Sequence, residues 1–118
     1  MAEFGIDEEP ICKNGHWYLV GRCVTDICVG TRFLKFIPHR VEVHPNGDRT
    51  YYQEEALPID LTILEIHRYG RILQEWDAGL TASLVLSGDG KNLQSYGSLV
   101  SELPDDYVPD RAISHIRY

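Results

Sequence analysis

The chain reads as all-β, a small antiparallel β-barrel. Apolar residues alternate at period two, most cleanly in Thr81–Ser87, where Ala82, Leu84 and Leu86 share one face. Leu61–Arg68 is rich in β-branched and aliphatic residues, which suit a pleated, half-buried surface. Glycine-bearing turns punctuate these stretches, since glycine adopts the positive φ of tight reversals. About six or seven strands closing on themselves would remove exposed sheet edges, which template aggregation.

The elements follow in chain order. Residues 1–15 hold the densest acid run, Asp7-Glu8-Glu9 before Pro10, and read as a solvated lead-in that pairs through Phe4 and Ile6. His16–Val24 is a strand with Trp17, Leu19 and Cys23 on one face and Tyr18, Val20 and Val24 on the other. Both faces are apolar, so cover on both sides is expected. Asp26 to Gly30 reverses the chain into Arg32–Ile37, a strand stopped at Pro38, which lacks the ladder donor. Val41–His44 and Arg49–Gln53 flank Pro45-Asn46-Gly47-Asp48, and Asn-Gly between strands is a strong hairpin signal. Glu54 to Pro58 links this hairpin to Leu61–Arg68. The turn Tyr69-Gly70-Arg71, the strand Ile72–Trp76 and the turn Asp77-Ala78-Gly79 lead into Thr81–Ser87, which Gly88-Asp89-Gly90 ends. Lys91–Tyr96 reads as a further strand, and Gly97–Glu102 as strand or helical turn. The proline-punctuated tail is extended or turn-like, with Asp110 placed to cap a short helix through Ile116. The expected core is Trp17, Leu19, Phe33, Leu64, Ile66, Ala82, Leu84 and Leu86.

Several of these residues carry a family likeness. Leu19 to Val24, Ile27 and Val29 to Phe33, then Ile63 to Ile66, Arg71-Ile72-Leu73, Asp77-Ala78-Gly79 and Ala82 to Gly88, resemble the second domain of translational GTPases of the elongation factor Tu type. The likeness spans residues 17–90 and is interrupted by an insertion over 38–58. It implies a small antiparallel barrel, and a role in contacts to protein and RNA rather than in catalysis. Fold alone does not fix function.

At 118 residues the chain is expected to be one domain, residues 1–118, with a single core. Eighteen acidic against eleven basic residues give a formal charge of −7. That balance disfavours a nucleic-acid backbone, where affinity comes from cations neutralising phosphates, and suits solubility or a basic protein partner. No apolar run approaches a membrane span and the N-terminus lacks a basic-then-apolar leader, so a cytoplasmic protein is expected. Cys12, Cys23 and Cys28 are odd in number and read as reduced thiols.

Catalytic signatures do not emerge. Cys23 and Cys28, and His39 and His44, have four residues between them, a spacing that makes no zinc knuckle, so neither metal nor cofactor is expected. No strained G-x-S-x-G elbow places a nucleophile, and no phosphate-cradling G-x-x-x-x-G-K-[ST] is present. The paired acids are explained by solvated charge. The chain is therefore expected to be a non-catalytic binding protein that recognises a protein partner. The alternatives are a bacterial immunity protein neutralising a basic toxin, an RNA- or ribosome-associated accessory factor, and a small enzyme with an unrecognised site. The expected binding surface is the inserted hairpin, with Arg49, Tyr51 and Tyr52, supported by Arg68 and Tyr69 at the β-turn beyond Leu61–Arg68. Arginine and tyrosine are favoured at interface centres, and Tyr51 and Tyr52 fall on opposite faces, so at most one is core. Cross-strand pairing of the arginines with carboxylates competes with this reading.

Overall fold

A computed structural model describes residues 1–113. In chain order its strands are β1 (Glu3–Ile6), β2 (Ile11–Lys13), β3 (His16–Cys23), β4 (Ile27–Cys28), β5 (Arg32–Val43) and β6 (Arg49–Gln53). They continue as β7 (Leu57–Arg68), β8 (Arg71–Leu73), β9 (Glu75–Trp76), β10 (Thr81–Asp89), β11 (Gly97–Val100) and β12 (Arg111–Ile113). The described residues contain no helix, and so none long and apolar enough to cross a membrane.

Six strands in the order β5-β11-β1-β3-β10-β7, all antiparallel, form a barrel that the β5–β7 pairing closes. Phe4 and Ile6, Leu19, Phe33 and Phe36, Leu61, Ile63 and Ile66, Leu84 and Leu86, and Leu99 fill it, each buried almost completely. The lead-in pairs through Phe4 and Ile6 as the alternation predicts. β1 and β3 approach so closely that a Cβ on Gly21 would lie 1.8 Å from the Gly5 carbonyl oxygen. Only glycine permits that crossing.

Irregularities in β5 and β7 break the simple alternation. On β7 the register against β10 shifts between Val85 and Leu86, so Glu65 pairs with Val85, Ile63 pairs with Leu86, and Leu64 has no partner. A β-bulge of this kind re-aims side chains. It turns both Ile63 and Ile66 inward and leaves Leu64 38% exposed, so Leu64 is not core. A second shift, between Phe33 and Lys35, lets Phe33 and Phe36 both face inward although they lie three positions apart.

Pro38 does not end its strand. β5 runs on to Val43, and the Pro38 carbonyl accepts from the Glu54 N–H at 2.8 Å. The ring nitrogen faces that same side, where β6 has ended and β7 has not begun, so no ladder bond is lost. The Asn-Gly hairpin forms as expected, Val43 pairing with Arg49 and Gly47 taking a φ of 90°. At the other end Tyr69 and Gly70, with φ of 54° and 71°, make a two-residue turn closed by Arg68 and Arg71. Lys91–Tyr96 is not a strand: Leu93 N–H bonds the Gly90 carbonyl in a turn, and the Asn92 amide ties that turn to the Pro58 carbonyl. Gly97–Val100 resolves as strand.

The tail is a strap that ends in a strand. The Tyr107 hydroxyl accepts from Ala56 N–H at 2.6 Å and donates to the Glu54 carbonyl at 2.8 Å, satisfying two main-chain groups of the β6–β7 link. Asp110 then takes a φ of 62°, and β12 pairs with β6 through Arg111–Ile113, where a helix was expected. Residues 114–116 of that expected helix lie outside the described residues.

Candidate functional site

A trough of about 580 Å³ lies on the outer face of the barrel, over β2, β3, β10 and β7. Strand register places its lining in rows. One row runs Ile11, Tyr18, Val85, Glu65 across four strands, and the next runs Val20, Ser83, His67 across three. Because side chains alternate across a strand, these residues point outward while Leu19, Leu84 and Ile66 point into the barrel. The β7 bulge adds Leu64 to the same outer face. Tyr18 and Val20 are 39% and 36% exposed, so the second apolar face of β3 is open and not covered.

Glu8 and Glu9 form one wall, on a loop that the Asp7 N–H pins to the Val20 carbonyl at 2.9 Å. Glu65 stands at the opposite wall, and His16 and His67 complete the polar lining. No lysine or arginine lines the trough among the described residues. Burial pushes the carboxyl of neighbouring Asp7 above its ordinary range, partly offset by the positive charge of Arg22.

Ser83, His67 and Glu65 share the trough, yet the buried His67 Nε2 has no hydrogen-bond partner and lies 3.6 Å from Glu65 Oε2. A nucleophilic triad needs that imidazole bonded to the serine on one nitrogen and to the acid on the other. Elsewhere, burial pushes the Cys23 thiol up to about 11, aided by the negative charges of Asp26 and Asp77, so it stays protonated at neutral pH. Among the described residues no group of three or more His, Cys, Asp and Glu is arranged to hold a metal ion.

The five residues expected at the binding surface do not come together. Arg32 pairs with Thr62 and Phe36 with Leu57, so the distal part of β5 and the end of β7 leave that pairing in opposite directions. Arg49, Tyr51 and Tyr52 therefore lie at one end of the barrel and Arg68 and Tyr69 at the other. Tyr51 and Tyr52 are both half-buried and neither is core, because β12 pairs alongside them and Arg40 stacks on the Tyr52 ring at 4.4 Å. Arg40 also bonds Glu42 and Glu54, the cross-strand pairing that competed with an interface role. Arg49 is exposed, and Tyr69 is 80% exposed beneath the Arg68 guanidinium, 4.4 Å from its ring centre.

The trough residues escaped the sequence reading, although one signal pointed to them: Tyr18 and Val20 make the outer face of β3 as apolar as the inner one. No family model, curated protein or solved structure matches the chain. The barrel architecture is thus established by its strand pairing alone.

Proposed function

We propose that this chain is a non-catalytic binding module that receives a protein partner on the outer face of its barrel. The observation that carries the reading is the open apolar trough of Ile11, Tyr18, Val20, Leu64 and Val85. Apolar surface gathered in a concavity and left open to water marks interaction sites, whereas singly scattered apolar residues do not. The residue-level likeness to the second domain of translational GTPases supports the same reading, since such a barrel serves as a contact scaffold. In this reading the module works in the cytoplasm without a cofactor. Its sharper form is a bacterial immunity protein that neutralises a basic toxin, supported by the acidic walls and the charge of −7.

Site-specific photocrosslinking in cells expressing the full chain tests this. A photoreactive phenylalanine analogue replaces Tyr18, Tyr51 or Tyr69 in turn, each an aromatic-for-aromatic exchange. A protein adduct from position 18 that Leu64→Gln with Val85→Thr abolishes is the expected result. Adducts from position 51 or 69 alone would return the binding surface to the hairpin or the β7–β8 turn. A ribonuclease-sensitive adduct would favour the RNA-associated accessory factor instead.

A further inference from the structure

Resting on the reading of the trough as a docking face, we infer that its occupant is a basic, aliphatic segment of a protein partner. The segment seats apolar side chains on Val20, Leu64 and Val85 and places arginine or lysine against both walls. The row from Ile11 to Glu65 crosses three inter-strand steps of about 4.8 Å, so the floor is roughly 14 Å wide. That width takes one chain segment and not a flat domain face. Its volume, about 580 Å³, holds a few side chains, as do the concave sites of about 300–1,000 Å³ that bind ligands.

Charge settles the segment's chemistry. Glu8 and Glu9 stand at one wall and Glu65 at the other, with no lysine or arginine between them among the described residues. An acidic segment would meet like charge at both walls, and a purely apolar one would cover carboxylates without pairing them. A basic flank answers each wall. Tyr18, on the floor between them, offers a ring face on which a guanidinium can stack. The net charge of −7 adds long-range attraction for the same partner.

The test titrates the full chain with three synthetic peptides that share alternating valine and leucine positions. The intervening positions are arginine in one, glutamate in the second and glutamine in the third. Binding is followed by methyl NMR and by affinity. The arginine peptide should shift the methyl signals of Ile11, Val20, Leu64 and Val85 and bind on the order of tenfold more tightly than the other two, a ratio that falls as salt screens the walls. Glu8→Gln, Glu9→Gln and Glu65→Gln together should erase the preference while leaving core methyl signals in place. Equal affinity for all three peptides at those methyls would overturn the basic-segment inference and leave the docking face standing. Shifts confined to other surfaces, or none, would overturn the inference, while the adduct from position 18 judges the docking face separately.

Discussion

His39 shows how one residue reports on its surroundings. It follows Pro38 in β5, its N–H bonding the Tyr96 carbonyl at 3.1 Å. Burial lowers its imidazole to about 4. In the unfolded chain the group titrates near its ordinary value of about 6.5. Above that value both states are neutral and the native state keeps its full stability. As pH falls from about 6.5 toward about 4 the unfolded chain takes up a proton that the native state refuses, so stability drops. With allowance for partial exposure the loss is on the order of 1–2 kcal/mol. Urea unfolding of wild type and His39→Gln across that window should show the variant with the flatter profile. Asp7, whose carboxyl is shifted upward by burial, works in the opposite sense in both proteins and cancels in the comparison. Identical slopes would contradict the burial argument. Leu64 carries the converse lesson at this scale. Leu64 and Ile66, two positions apart, were expected together in the core, and a single unpaired residue in β7 kept Ile66 inside and turned Leu64 out. A bulge is fixed by the partner strand, so the local pattern does not announce it.

At the scale of elements, legibility followed locality. The Asn-Gly hairpin and the Tyr-Gly turn were readable because backbone conformation at two or three residues decides them. Pro38 misled because its missing donor matters only where a neighbouring strand would use it, and here the adjacent chain is the β6–β7 link. The tail misled for a related reason: Asp110 is a sound helix cap in isolation, but Arg111–Ile113 finds the open edge of β6. The Tyr107 strap precedes that pairing. Tyr107→Phe keeps the ring and removes the hydroxyl that satisfies both Ala56 N–H and the Glu54 carbonyl. Leaving part-buried main-chain groups unpaired costs about 1–3 kcal/mol. Denaturant unfolding should register a loss of that size. A midpoint unchanged from wild type would mean that the strap contributes nothing to holding the link.

At the scale of the whole molecule, closure through β5–β7 was legible as a class of fold, because alternation with frequent turns leaves few other ways to hide the edges. The open outer face was not. Apolar residues on both sides of β3 fit a strand covered twice as well as a strand whose second face awaits a partner. Sequence cannot separate these, since the difference lies in whether another element packs there. None does among the described residues, and the exposures of Tyr18, Val20 and Leu64 follow. The five residues first expected to bind were chosen for their types, and strand register then placed them at two ends of the barrel.

The central claim is that this outer face is open to a partner while the inner face is sealed. Methyl NMR with a soluble paramagnetic relaxation agent measures both at once in the isolated chain. The methyl signals of Ile11, Val20 and Leu64 should broaden strongly, and those of Leu84, Leu86 and Ile66 should be spared. Protection of Val20 and Leu64 equal to that of Leu84 would show the face already covered, by the chain itself or by a second copy, and would contradict the account.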